Sequence, residues 1–254
     1  MRHARVLGYA GIAAFAVAAV AFAQTTVQPV PADAAAKTAP LVEAKATWGD
    51  VKRGAAKAGT CAACHGLDGN PSDPQYPRLA GMPERYVAHQ ITLIKSGERN
   101  SGMAAVMKPY ADALSAQDMR DLGAYFATQK AGAGVADDTV IADGPNKGMK
   151  FYQVGERLFH QGDAARGIPA CMACHGPAGA GNPGPAYPAI AGQQSAYAQR
   201  RLEEYRAGTT TQADPHLFNV MASVAKPLTD EEIQSLASYL QGLHARGDEA
   251  VAAD

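Results

Sequence analysis

Two pentapeptides of one pattern, Cys61-Ala62-Ala63-Cys64-His65 and Cys171-Met172-Ala173-Cys174-His175, hold all 4 cysteines of this chain. Two thiols three positions apart can each add to a haem vinyl group, and the histidine that follows is then set against one face of the iron. The pattern predicts two covalently bound haem c groups, on Cys61 and Cys64 and on Cys171 and Cys174, with His65 and His175 as iron ligands. Three other uses of the cysteines fit less well. A thiol redox pair belongs in a βαβ setting, and the flanks here are rich in Ala, Gly and Pro with no strand-like run. Zinc-binding cysteine pairs usually lie roughly 15–20 residues apart, against the 110 positions between Cys61 and Cys171. A disulfide framework, natural in an oxidising compartment, gives no role to a histidine in the same place twice.

The N-terminus reads as an export signal. Arg2, His3 and Arg5 precede an apolar run from Val6 to Ala23 that closes on Ala21-Phe22-Ala23, a small-residue pattern for signal-peptidase cleavage. The run is almost long enough to span a bilayer, so a retained anchor, and with it membrane association, is the alternative. Export agrees with haem attachment, which bacteria carry out beyond the cytoplasmic membrane, and it predicts a periplasmic protein. Residues 24–45, made largely of Ala, Pro, Thr and Val without a helical or strand period, read as a flexible leader. Once residues 1–23 are removed, 21 basic side chains face 24 acidic ones, a balance that gives no support to nucleic-acid binding.

Beyond the haem motifs the two halves keep matching. Tyr76-Pro77-Arg78-Leu79-Ala80-Gly81 pairs with Tyr187-Pro188-Ala189-Ile190-Ala191-Gly192, Tyr86 with Tyr197 and Gly97 with Gly208, all at an offset of 111. Leu114-Ser115 pairs with Leu228-Thr229 and Tyr125 with Tyr239 at an offset of 114, so the second copy carries a short insertion between Gly208 and Met221. The predicted organisation is an N-terminal domain at 46–130, a linker at 131–142, a C-terminal domain at 143–245 and a tail at 246–254. Each copy predicts an all-α plan. A first helix (50–58, and about 147–160) leads into the haem motif, a Gly/Pro-rich loop follows, and then a middle helix (about 83–96 and 195–207). A last helix opens on Ser115 or Thr229, with Asp118 or Glu232 completing a capping box. Copies of this size are small for an independent core, and a haem between helices supplies the missing apolar volume.

The other iron ligand is found by comparing the copies. Met221 is the only methionine after Cys174, whereas Met82, Met103, Met107 and Met119 all follow His65. Met107 and Met221 each lie eight residues before the N-cap of the last helix, at the shared offset of 114. They are the predicted sixth ligands, on loops entering that helix. Met103 is the fallback in copy one, while Met82 and Met119 read as packing residues. His89, His160, His216 and His244 have no counterparts at matched positions, and His216 is the nearest rival to Met221.

Taken together, the two haem motifs, the Tyr-Pro-x-Leu/Ile-Ala-Gly segments and the late methionines make residues 48–244 resemble the dihaem cytochrome c4 family. The resemblance implies two tandem class I cytochrome c domains whose haem edges face each other across the interface. It implies an electron carrier, not an enzyme, that takes electrons from a respiratory donor complex towards a terminal oxidase. Such a carrier is expected as a monomer or weak dimer with redox-protein partners. In class I cytochromes a proline carbonyl near this spacing accepts from the ligand histidine, which gives Pro77 and Pro188 a supporting role beside His65 and His175. Dihaem peroxidases and thiosulfate dehydrogenases also carry two such motifs. A peroxidase needs an open iron position, and the thiosulfate enzymes use a further cysteine that this chain lacks. An electron-accepting subunit of a dehydrogenase has the same signature as a free carrier.

Overall fold

The computed structural model describes residues 48–245. The expected export signal, leader and tail lie outside them. The described residues form ten α-helices and no β-sheet, as the all-α reading expects. In the N-terminal lobe these are α1 (Val51–Ala58), α2 (Ala62–His65), α3 (Glu84–Ser96), α4 (Ala104–Asp112) and α5 (Ala116–Ala127). The C-terminal lobe repeats the order with α6 (Phe151–Gln161), α7 (Met172–His175), α8 (Ser195–Ala207), α9 (His216–Ala225) and α10 (Asp230–Gly242). The short helices α2 and α7 are the haem motifs themselves.

Each lobe is organised by the crossing of its first and last helices, α1 on α5 and α6 on α10. The crossing is close because a glycine sits at the contact. A side chain added at Gly54 would overlap the Asp121 carbonyl oxygen and lie 2.7 Å from Tyr125 Cβ; at Gly155 it would overlap the Ser235 carbonyl oxygen and lie 2.7 Å from Tyr239 Cβ. Both last helices start on full capping boxes, Ser115 with Asp118 and Thr229 with Glu232. Leu122 and Phe126 are buried in one lobe, and Ile233, Leu236 and Leu240 in the other. The cores differ in extent. The C-terminal cluster draws on α6, α8, α9 and α10 together, whereas the N-terminal core is divided, with Ala58, Leu122 and Phe126 under α1 and α5 and Ile94, Ala104 and Ala111 between α3 and α4.

Two expectations about elements are corrected. Helix α6 starts at Phe151, later than about residue 147, because residues 145–148 form a turn in which Gly148 takes φ 86° and which brings Lys150 antiparallel to Val140. Met107 and Met221 lie inside α4 and α9, not on loops. Ala104 with Ala111, and Phe218 with Ala225, are buried pairs seven residues apart, a helical period that holds these segments against the rest of each lobe.

The connector is packed at both ends. Gly132 N–H donates to Asn70 Oδ1 at 2.9 Å in the first lobe. Gly134 N–H donates to Gln241 O at 2.9 Å and Asp137 N–H to Ser238 Oγ at 2.8 Å in the second. The lobes also clasp each other directly. Arg78 N–H donates to Gln193 Oε1 at 2.8 Å, and Gln193 Nε2 returns a bond to Arg78 O at 3.1 Å. Arg85 reaches Gly184 O at 2.6 Å, and Ala213 N–H donates to Glu98 Oε2 at 2.8 Å.

Asp121 ties α5 to the start of α1. Its carboxylate, 1% exposed, accepts from Arg53 Nε, from the Asp50 N–H and from Gln117 Nε2, each at 2.8 Å. The Arg53 guanidinium, ahead of the two other donors, holds this carboxyl down to about 2. An unfolded aspartate titrates near about 3.9, so the stabilisation is complete above that value and is lost as pH falls from about 4 through 2. Asp121→Asn is therefore expected to lower the melting temperature at pH 7 and to lower it much less at pH 2.5. Thermal melts followed by circular dichroism at the two pH values check this, and equal losses at both would refute it.

Candidate haem sites

Each lobe encloses one large apolar cavity. The N-terminal cavity is lined by Cys61, Cys64 and His65 from α2, by Ile91 and Ile94 from α3, by Met103 and Met107, and by Leu122 and Phe126 from α5. The C-terminal cavity is lined by Cys171, Cys174 and His175, by Leu202 and Phe218, by Met221, and by Leu236 and Leu240. Their empty spaces are about 1150 and 1350 Å³ with the open mouths included, at or above the roughly 300–1,000 Å³ of ordinary ligand pockets. Met82, Tyr86, Gln90 and Tyr197 line both cavities, so the two sites share a wall.

The histidines are fixed in matching ways. Nδ1 of His65 lies 2.9 Å from Pro77 O, and Nδ1 of His175 lies 2.9 Å from Pro188 O. A carbonyl can only accept, so each Nδ1 carries the proton and each Nε2 keeps its lone pair free. Burial pulls both imidazoles below the ordinary histidine value, opposed in part by these same proline contacts. Both rings thus stay neutral near pH 7, the form in which imidazole binds metal.

The cysteines suit attachment better than thiol chemistry. None forms a disulfide. Burial pushes the Cys61 thiol up, and the Cys171 thiol up to about 11, the opposite of the depressed values that reactive thiolates show. The cavity walls fit a flat apolar ring for a further reason. Met103, Val106 and Tyr110 are 39, 55 and 51% exposed, and all three line the N-terminal cavity. A ring bound there would cover apolar surface that this small lobe otherwise leaves to water.

Of the rival ligands, Met119 is buried in α5 and takes a contact from Thr92 Oγ1 at 3.4 Å. Met82 is buried in the shared wall. His216 is exposed at the first turn of α9. His160 has both ring nitrogens engaged, Nε2 with Tyr239 OH at 2.9 Å and Nδ1 against Met172 Sδ at 3.3 Å. His89, which carried no signal in the sequence, lines the C-terminal cavity from α3 of the other lobe. Arg78 and Arg99 at the N-terminal cavity were also missed, because only the fold brings them to its wall.

Fold, repeated cavities and paired Cys-Cys-His walls define a two-haem c-type cytochrome. A cytochrome c family model matches residues 51–130 and again 152–244. The chain is 40% identical over 196 residues to cytochrome c4 of Pseudomonas aeruginosa, covering 77% of this chain and 90% of that protein. The crystal structure of reduced recombinant cytochrome c4 from Pseudomonas stutzeri is similar at a TM-score of 0.66 and 37% identity, over 77% of this chain and 100% of that one. A thiosulfate dehydrogenase electron acceptor of Thiomonas intermedia is 38% identical over 186 residues, covering 72% of this chain and 78% of that protein. This chain belongs to the cytochrome c4 family: it is a dihaem electron carrier that binds two haem c groups covalently.

Proposed function

We propose that the protein is a periplasmic carrier of a respiratory chain, taking electrons from a respiratory donor complex and passing them towards a terminal oxidase. In this reading His65 and Met107 would hold the iron of the N-terminal haem, and His175 and Met221 that of the C-terminal haem. The observation that carries it is the presence, in each cavity, of one tautomer-fixed imidazole and one repeat-matched methionine. Haem supplies the one-electron chemistry. A thioether ligand favours ferrous iron and a relatively high potential, which suits delivery to an oxidase. Pro77 and Pro188 hold the imidazole rings, the apolar walls exclude water, and Met107 and Met221, if they hold the irons, would leave no room for a substrate. The periplasmic placement rests on the N-terminal export pattern. Among the described residues no helix is long and apolar enough to cross a membrane.

The test is oxidation of the reduced, purified holoprotein by oxidase-containing membranes of the source bacterium. Rapid oxidation that cyanide blocks is the expected result, and absence of cyanide-sensitive oxidation overturns the oxidase role. A second reading, supported by the Thiomonas relative, makes this chain an electron acceptor for a thiosulfate dehydrogenase. It requires reduction of the haems by thiosulfate in the presence of such an enzyme.

A further inference from the structure

Buried polar atoms without a hydrogen-bond partner are few among the described residues, and three of them belong to two arginines: Nε and Nη1 of Arg78, and Nε of Arg99. Both side chains line the N-terminal cavity, and Arg78 is only 8% exposed. Arg99 spends its other nitrogens on neutral groups, Gln90 Oε1 at 2.7 Å and Tyr197 OH at 3.2 Å. Asp68 acts on Arg78 through space, yet burial still pulls that guanidinium below its ordinary value. A buried cation with free donors and no carboxylate bound to it is costly, and the group that would relieve it is an anion that accepts from several N–H bonds at once.

The C-terminal cavity is built differently. Its lining arginine, Arg201, is already paired with Glu204 and stacks over the Tyr205 ring at 4.5 Å. At the repeat offset of 111 the position of Arg78 is held by Ala189, and residues 210–213, which span the counterpart of Arg99 on either side of the insertion, carry no basic side chain. The unpartnered arginine nitrogens therefore belong to one cavity of an otherwise repeated fold, a cavity that Arg200 and Glu204 of the second lobe also line.

We propose that Arg78 and Arg99 form a carboxylate seat for the propionates of the N-terminal haem, with no counterpart in the C-terminal lobe, and that this seat raises the reduction potential of the N-terminal site alone. The proposal rests on the two-haem carrier reading above. Ferric haem carries one more positive charge than ferrous haem, so nearby cations, and the cancelling of propionate charge, disfavour oxidation. The seat also lies at the lobe boundary, because Arg78 is clasped through its backbone to Gln193 and Arg99 donates to Tyr197.

The test compares holoprotein carrying Arg99→Gln or Arg99→Lys with the parent in a redox titration followed by NMR, which reports each haem separately. Arg99→Gln is expected to lower the midpoint of the N-terminal haem while the C-terminal one moves far less, and Arg99→Lys to recover most of the shift. Unmoved midpoints, or equal falls at both haems, overturn the proposal. Loss of the methionine-to-iron charge-transfer band in either variant also counts against it, since Arg99 would then act by holding the pocket together. Failure of the ligand assignment itself is read separately, from the methionine variants.

Discussion

Replacing Met107 by alanine is expected to remove about half of the methionine-to-iron charge-transfer absorption of the oxidised protein, and replacing Met221 to remove the other half. Each variant should also gain carbon monoxide binding in its reduced form at one haem only, because truncating the thioether opens one iron position. The parent protein should show no such shift. Met103→Ala is the internal control. Met103 lines the same cavity as Met107, so proximity does not separate them, whereas only Met107 has a repeat partner. Retention of the full band in both Met107→Ala and Met221→Ala would reject the assignment; loss in Met103→Ala with retention in Met107→Ala would transfer it.

The second large effect concerns the helix crossings. Gly54→Val and Gly155→Val each press a branched side chain into a carbonyl of the facing helix. Ordinary overpacking costs about 1–3 kcal/mol because side chains can shift. Here the obstacle is backbone, and the cost should exceed that range, a large part of the roughly 5–15 kcal/mol that holds a domain folded. Gly54→Val should unfold the N-terminal lobe preferentially, since its core is divided into separate clusters, and Gly155→Val should act on the C-terminal lobe, whose core is one cluster. Haem incorporation per chain and thermal melting report this. Full incorporation with an unchanged melting temperature would show that the helices part without penalty.

What the sequence disclosed follows from which signals are local. The haem pentapeptides, the Ser115 and Thr229 caps and the duplicated Tyr-Pro segments are written in short stretches, and the helices they announce lie at α1, α3, α5, α8 and α10. The turn before α6 escaped notice because Phe151, Val154 and Leu158 show a helical period while the backbone reversal depends on Gly148. Helices α4 and α9 escaped because Pro109 and Pro215 suggest loops, and only burial of Ala104, Ala111, Phe218 and Ala225 reveals a packed face. At the sites, the motif spacing and the repeat singled out the histidines and the two methionines as candidates, and the family resemblance added Pro77 and Pro188. The His89, Arg78 and Arg99 side chains were invisible there because their role at a cavity wall depends on the other lobe or on distant loops.

The stitched connector between the lobes has a kinetic meaning. A slack tether would make each lobe search for the other, with an encounter frequency set by tether length. Here the peptide between the halves is bonded to Asn70 on one side and to Gln241 and Ser238 on the other. The ordering entropy is spent once, as the chain folds. Passage of an electron between the two centres would then need no diffusional search, because the lobes are already held as one body.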